Sequence, residues 1–217
     1  MQKYYTGKFN KKNIKVVAFD FDETFYKSKN MRALYLEYIR KTFRILCKFD
    51  DKKISQIMEE RGFTLESKTA PSFSQICTEY GVSEKEYHEY RIVNNFEIDY
   101  SEAEVVDINI LKKFKQLFKV YVVSNEIDKL FYNKMKKLCI PKEMFDGIYC
   151  TPIDAMKTKS KEVPYKDIIA KEKIKNDEFL VVGDRFKVDI EPALSLGASG
   201  ILVNGPEEIS LVLNELM

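Results

Sequence analysis

The first strong hydrophobic pattern in the chain is a nearly continuous apolar run from Ile14 to Phe21. The run is rich in β-branched and aromatic residues, which favour strands. A strand that is apolar on both faces is typical of the buried interior of a parallel sheet. It ends abruptly in the acidic segment 20–24, D-F-D-E-T, where buried carboxylates need partners because an unpaired buried charge is costly.

The pattern changes between about residues 28 and 104, where apolar positions recur at helical spacing and no strand-like run occurs. Four helices are predicted there: 34–46, 51–61, one from Pro71 to Gly81, and one that begins with a capping box at Ser83 and Glu86. Four helices without a strand predict a separate helical unit.

From about Val105 onward, predicted helices and strands alternate. The predicted strands are 120–124, 147–150, 179–183 and 200–203. The predicted helices are 108–118, 126–138, 165–173, 188–196 and a last one after Pro206. This alternation predicts right-handed βαβ units and a parallel sheet covered by helices. The predicted fold is therefore α/β: a three-layer Rossmann-like parallel sheet core formed by residues 1–27 and 104–217, with residues 28–103 as an α-helical insertion.

Composition excludes several classes of function. The chain has 36 Lys and Arg against 34 Asp and Glu, so there is no cationic surplus for binding nucleic acid. No apolar stretch approaches the roughly 20 residues that a membrane span needs, and the polar start up to Asn13 does not resemble a secretory signal. The cysteines form no C-x-x-C pair, so we expect reduced, mostly buried thiols and a cytoplasmic location. His88, the only histidine, is expected on a helix surface.

Polar motifs follow the predicted strands in a definite order. They are the D-x-D-x-T of Asp20, Asp22 and Thr24, the pair Ser124 and Asn125, the lysines at 157, 159 and 161, and the G-D-x-x-x-x-D of Gly183, Asp184 and Asp189. The carboxyl ends of parallel strands meet at one edge of the sheet, where open α/β sheets form their sites. We therefore expect these motifs to meet at that edge.

This set of motifs resembles the haloacid dehalogenase-like (HAD) hydrolase superfamily, in its phosphatase branch. That family has a D-x-D-x-T, then a Ser or Thr at a strand end, then a Lys, then a G-D-x-x-x-x-D. Segments 145–148 and 197–201 are also similar to the family. One such motif alone is weak evidence, whereas four in the right order are specific. The insertion at 28–103 resembles the family's helical cap of the C1 type.

The residue types suit phosphoryl transfer. Asp20 can attack phosphorus and form an aspartyl-phosphate, and Asp22 can protonate the leaving oxygen and then deprotonate water. Asp20, Asp22 and Asp184 would repel one another, and a hard cation such as Mg²⁺ relieves that repulsion. The resemblance implies Mg²⁺ ligands from the Asp20 side chain, the Asp22 backbone carbonyl and the Asp184 side chain. Asp189 would bind the metal directly or would hold the residues that bind it.

Further residues would contact the phosphoryl group. Ser124 can donate its hydroxyl and backbone N–H to a phosphoryl oxygen, and the resemblance implies substrate contacts for Thr24 and Asn125. A lysine would neutralise charge in the transition state. Lys161 is the first choice, although the family's K-P-x-P-like run is only partly matched after it. The alternatives are Lys159 and then Lys157.

We therefore expect a Mg²⁺-dependent phosphatase that acts on a small phosphorylated metabolite through an aspartyl-phosphate. Asp22 disfavours a 2-haloacid dehalogenase, a class that lacks the second aspartate. A phosphomutase uses the same covalent chemistry and is an alternative, as is a non-catalytic binding or regulatory protein on this fold. Sugar phosphates, phosphoglycolate, nucleotides and phosphorylated vitamin precursors all stay candidate substrates.

Overall fold

A computed structural model describes residues 1–5, 9–64, 73–94, 100–151 and 161–217. These residues form two units. The core unit comprises Met1–Lys27, Ala103–Thr151 and 161–217, and the helical unit lies within Ser28–Glu102. Three residues named from the sequence lie outside the described part of the chain: Pro71, Lys157 and Lys159.

The strands of the core unit form a six-stranded main sheet and a two-stranded ribbon. Their bounds are β1 Gln2–Tyr4, β2 Val16–Phe19, β3 Tyr26–Lys27, β4 Glu104–Val105, β5 Lys119–Ile127, β6 Gly147–Thr151, β7 Phe179–Gly183 and β8 Ser199–Leu202. The main sheet has the order β1-β8-β7-β2-β5-β6. Its five strands from β8 to β6 run parallel, which confirms the predicted α/β Rossmann-like core.

The outer strand β1 departs from the prediction of a purely parallel sheet. It pairs antiparallel with β8, from Gln2 opposite Leu202 to Tyr4 opposite Gly200. The strand is only three residues long and mostly exposed, so it lacks the alternation of apolar and polar residues that marks a strand in a sequence. Short edge strands of this kind are common, because a long exposed edge invites aggregation.

Strand β2 lies in the middle of the main sheet, and all of its residues are buried. It pairs with β5 on one side and with β7 on the other. The chain passes from β2 to β5 and β6, then returns to the opposite side to form β7 and β8. The strand order therefore reverses at β2, and open α/β sheets bind ligands beyond the carboxyl ends of strands at such a reversal.

Nine α-helices are present in the described residues. Their bounds are α1 Met31–Leu46, α2 Asp51–Glu60, α3 Phe73–Glu79, α4 Glu84–Asn94, α5 Ile108–Leu117, α6 Asp128–Lys137, α7 Glu162–Glu172, α8 Glu191–Ser195 and α9 Ile209–Leu216. The predicted helix 188–196 is wrong at its start, since a π-helical turn at Phe186–Ile190 precedes the short helix α8. Single π-helical turns are wider than α-helical ones and occur often at functional sites.

The helical unit has an aromatic core of its own. Apolar side chains of α1 to α4 pack together, with the ring of Phe73 edge-on to that of Phe43. The predicted capping box is confirmed, because the Ser83 backbone N–H donates to the Glu86 carboxylate and the Glu86 N–H donates to the Ser83 hydroxyl. The prediction of a surface histidine is wrong: His88 is buried, since α4 buries a wider face than its sequence pattern indicates.

The two-stranded ribbon of β3 and β4 lies where the chain leaves the core unit and returns to it. Tyr26 is opposite Val105, and Lys27 is opposite Glu104. The Val106 N–H extends the pairing by donating to the carbonyl of Phe25 at 2.8 Å. The two ends of the inserted segment are therefore held side by side by backbone hydrogen bonds.

All four cysteines are free thiols. Only Cys77 is buried, whereas Cys47 and Cys150 are partly exposed and Cys139 is exposed, so the expectation of mostly buried thiols is wrong. Cys139 follows α6 in a left-handed backbone conformation, as part of a surface turn. Within the described residues, no helix combines the length and apolar character needed to cross a membrane.

Gly200 in β8 provides a test of core packing beside the π-helical turn. A Cβ at this position would lie 2.6 Å from Cγ2 of Ile190, which is buried. We expect Gly200→Ala to lower the free energy of unfolding by about 1–3 kcal/mol, the usual range for overpacking a core. Urea unfolding followed by circular dichroism measures the change. An unchanged midpoint would show that Ile190 moves aside without cost.

Candidate active site

Asp20 directly follows β2 and is held by the sheet and by its own loop. Its backbone N–H donates to the carbonyl of Val182 in β7 at 2.8 Å. The side chain is only 5% exposed. The Thr24 hydroxyl donates to Oδ2 at 3.4 Å, and Nζ of Lys161 donates to Oδ1. Both carboxylate oxygens of Asp20 therefore have a partner within the core unit.

The G-D-x-x-x-x-D motif folds its last residue back over its first. Gly183 ends β7, Asp184 follows it, and Asp189 lies in the π-helical turn. A Cβ at Gly183 would lie 2.5 Å from Cβ of Asp189, so only glycine leaves room for this arrangement. The backbone N–H of Arg185 donates to Oδ2 of Asp189 at 2.8 Å. The spacing of the motif thus brings the Asp189 carboxylate beside the end of β7.

Asp20, Asp184 and Asp189 form a buried group that we call the aspartate cluster. One carboxylate oxygen from each lies within 4.8 Å of the others. Lys161, immediately before α7 and itself 2% exposed, donates to Oδ1 of Asp20 and, at 2.7 Å, to Oδ1 of Asp189. With every group ionised, the three carboxylates and the Lys161 ammonium carry two excess negative charges, and the Arg185 guanidinium acts on Asp20 and Asp184 from outside this group.

The electrostatics of the aspartate cluster reflect that excess. Burial raises the pKa of Asp20 to about 6, although the Lys161 ammonium acts in the opposite direction. Burial, with the Asp189 and Asp20 carboxylates, holds the pKa of Asp184 well above its ordinary value. Burial alone would lower the pKa of Lys161, but Asp189 and Asp20 outweigh it and raise that pKa. The cluster therefore favours an added cation.

The donor atoms of the aspartate cluster fit Mg²⁺. They are carboxylate oxygens, the hard ligands that Mg²⁺ prefers, whereas zinc and copper sites usually include nitrogen or sulfur. The two excess negative charges also match the charge of one divalent cation. Among the described residues, Asp20, Asp184 and Asp189 are thus well suited to hold such an ion.

Ser124 and Asn125 lie in β5, where the strand bulges. The pairing of β5 with β6 shifts register between Val123 and Ile127. Ser124 is buried, and its hydroxyl accepts the backbone N–H of Glu126 at 3.1 Å. Asn125 is partly exposed, and its carbonyl accepts the Thr151 hydroxyl at 3.2 Å. Bulges of this kind are common next to active sites, where they change the direction of a side chain.

The carboxylate of Asp22 belongs to a second group, which we call the Lys134 cluster: Lys134, Asp22, Glu126 and Tyr26. Lys134 Nζ donates to Oδ1 of Asp22 at 2.5 Å and to Oε2 of Glu126 at 3.1 Å. The Tyr26 hydroxyl donates to the same Asp22 oxygen at 2.6 Å. Of the four aspartates predicted to bind metal, three therefore converge through their side chains, while the Asp22 side chain has different partners.

Sequence reasoning missed the partners of Asp22. One available signal was the position of Lys134 in α6, between the apolar residues Phe131 and Met135 on the buried face. Lysine is rarely buried unless it is paired. A lysine at a core position of an amphipathic helix therefore indicates a buried ion pair, although it does not identify the carboxylates.

The family model of haloacid dehalogenase-like hydrolases matches residues 17–203. The chain belongs to this family. The matched range of this HAD hydrolase includes both clusters and the four sequence motifs. No curated protein sequence matches the chain significantly.

Solved structures of other HAD proteins share the fold at low sequence identity. A haloacid dehalogenase-like hydrolase from Streptococcus pneumoniae has a TM-score of 0.57 at 18% identity, over 93% of this chain and 91% of that chain. A HAD phosphatase from Thermococcus onnurineus has a TM-score of 0.55 at 17% identity, over 92% and 98%. A magnesium complex of a HAD enzyme from Bacteroides thetaiotaomicron has a TM-score of 0.54 at 19% identity, over 93% and 98%.

Lys161 supplies a stability test of the aspartate cluster. We expect Lys161→Met to lower the free energy of unfolding of the metal-free HAD hydrolase by about 3–5 kcal/mol, because it leaves buried carboxylates without their bonded cation. Lys166→Met is the control, since Lys166 is exposed on α7 and pairs with Glu162 at the surface. Urea unfolding measures both variants. Equal small losses would mean that Lys161 is not needed to bury the cluster.

Proposed function

We propose that this HAD hydrolase is a Mg²⁺-dependent phosphatase that hydrolyses a small phosphate monoester through an aspartyl-phosphate on Asp20. The observation that carries the proposal is the aspartate cluster, which holds Asp20 beside two further buried carboxylates and one bonded lysine. Phosphoryl transfer needs three things from a protein: a nucleophile, excess negative charge that can bind a metal cation, and an ammonium in a fixed position.

Asp20 and Asp184 would hold Mg²⁺ with their side chains, and Asp22 with its backbone carbonyl, as the family's motifs imply. Asp189 would bind the ion or support it through Lys161 and the neighbouring backbone. Bound Mg²⁺ supplies positive charge that neutralises the cluster and polarises a phosphoryl oxygen. The magnesium complex of the Bacteroides thetaiotaomicron neighbour supports this choice of metal.

The protein's own side chains would carry both chemical steps. A carboxylate oxygen of Asp20 forms a bond to phosphorus as the ester oxygen leaves, and Asp22 gives that oxygen a proton. Asp22 then takes a proton from water, whose oxygen bonds to phosphorus while the bond to Asp20 breaks. The products are an alcohol and inorganic phosphate, and the Asp20 carboxylate is restored. Proton transfer of this kind is typically worth about 10²–10⁴-fold in rate.

The remaining predicted site residues would hold the phosphoryl group in place. Lys161 would neutralise charge on the transferring group while keeping Asp20 in position. The buried Ser124 would donate its hydroxyl and backbone N–H to a phosphoryl oxygen, and Thr24 and Asn125 would line the same place. Each of these residues lies at or just beyond the carboxyl end of a central strand or beside α7, which supports the assignment.

We further propose that the helical unit acts as a cap that selects a small phosphorylated metabolite. A cap that covers the site would exclude water and contact the part of the substrate beyond the phosphate. The Thermococcus onnurineus neighbour, itself a HAD phosphatase, supports the reaction class. The four free thiols support a reducing, cytoplasmic compartment.

Asp20→Asn tests the covalent mechanism. We expect this variant to lose turnover of p-nitrophenyl phosphate, because an amide does not attack phosphorus. It should not unfold more easily than the wild type, since burial already disfavours the charged form of Asp20. Asp167→Asn is the matched control on an exposed part of α7. Clear phosphatase activity in purified Asp20→Asn would overturn the mechanism.

Metal exchange tests the cofactor. We expect EDTA to abolish phosphate release, Mg²⁺ to restore it and Ca²⁺ to support it poorly. Mg²⁺ holds octahedral ligands at about 2.1 Å, whereas Ca²⁺ binds more ligands at longer distances and would displace Asp20 from the line of attack. Release of phosphate from p-nitrophenyl phosphate is the measurement. Equal rates with EDTA and with Mg²⁺ would contradict the proposed metal site.

A further inference from the structure

Lys134 occupies a position where a cation is costly. It lies on the buried face of α6, with an exposed fraction of 8%, and its neighbours Phe131 and Met135 belong to the core. Burying an ammonium is unfavourable unless close opposite charges and hydrogen bonds stabilise it. Lys134 has such partners in the Lys134 cluster, and one of them is Asp22.

The hydrogen bonds within the Lys134 cluster hold the Asp22 carboxylate in place. Lys134 and Tyr26 both donate to the same oxygen, Oδ1, at 2.5 and 2.6 Å. Lys134 Nζ also lies 5.9 Å from the centre of the Tyr26 ring, which adds a cation–π contact. Two donors that meet at one oxygen restrict the rotation of the carboxylate.

Glu126 anchors the other side of Lys134. Its Oε2 accepts from Lys134 at 3.1 Å, and its Oε1 accepts the backbone N–H of Ile127 at 2.9 Å. Its own backbone N–H donates to the Ser124 hydroxyl. The ammonium therefore connects the loop after β2 with the bulge in β5, and both lead to residues of the proposed phosphoryl site.

The members of the Lys134 cluster differ in how far their side chains are exposed to solvent. The side chains of Lys134 and Glu126 are 8% and 6% exposed, whereas that of Asp22 is 35% exposed. Asp22 is thus the member that a ligand can reach, and its partners lie deeper in the core unit.

We infer that Lys134 is a positioning residue for Asp22, which it holds, together with Tyr26, in the orientation needed to exchange a proton with the leaving group. The inference rests on the proposed phosphatase function. It assigns to α6 a part in the reaction that the family's four motifs do not include.

The test is a double-mutant cycle on the first chemical step. Asp22→Asn, Lys134→Met and the double variant are compared with wild type by rapid-quench measurement of Asp20 phosphorylation. Two probes are used, glycerol 2-phosphate and p-nitrophenyl phosphate. The alkoxide needs a proton to leave, whereas p-nitrophenolate leaves without help. Lys136→Met is the matched control, because it makes the same change at an exposed position of α6.

We expect Lys134→Met to slow phosphorylation by glycerol 2-phosphate at least about tenfold more than phosphorylation by p-nitrophenyl phosphate, as partial loss of acid catalysis requires. The double variant should be no slower than Asp22→Asn with either ester, because both changes remove the same function. Lys136→Met should match the wild type. Equal losses with both esters, or losses that multiply in the double variant, would overturn the inference.

Tyr26→Phe keeps the inference testable if Lys134→Met fails to fold. It removes one of the two bonds to Asp22 Oδ1 and keeps the buried ring. We expect the same preference between the esters with a smaller loss, and equal losses with the two esters would count against positioning. A wild type that phosphorylates Asp20 with neither ester would overturn the proposed function, and this inference with it.

Discussion

The main constraint on this structure is the free-energy cost of burying carboxylates at the edge of a parallel sheet. A buried charge must be paired, and each cluster meets that requirement with one lysine, which lies in α6 in one case and immediately before α7 in the other. Lys161 serves the aspartate cluster, whereas Lys134 serves Asp22 and Glu126. The two clusters differ in net charge. The Lys134 cluster has its ammonium shared by two carboxylates, and the aspartate cluster has one ammonium for three, which leaves room for a divalent ion.

Local spacing explains why much of this could be predicted from the sequence. The apolar run at β2, the repeat of strands and helices after Val105, and the polar residues at the strand ends are short-range patterns, and each specified an element or a motif. Gly183 shows how such a motif works, because the absence of a side chain there is what lets Asp189 fold back against the strand. The residues of the motif are those that this local geometry requires, so the motif in the sequence predicts the geometry.

Long-range contacts explain what could not be predicted. Lys134 is 112 residues from Asp22, and nothing in either segment identifies the other. The antiparallel β1 depends on an edge that exists only after β8 has formed. The burial of His88 depends on neighbouring helices rather than on its own amphipathic pattern. The π-helical turn brings Asp189 against Gly183, a contact that helix periodicity does not encode.

The ribbon of β3 and β4 has a consequence for how this chain can vary. Its backbone hydrogen bonds hold the two ends of a long insertion together at a fixed point of the core unit. The entropy lost on closing a loop grows only slowly with loop length, by about 0.6 kcal/mol for each doubling. A descendant gene could therefore acquire a shorter, longer or entirely different insert while Asp20 and its neighbours kept their geometry. New substrate ranges could then arise by replacing one continuous stretch of coding sequence.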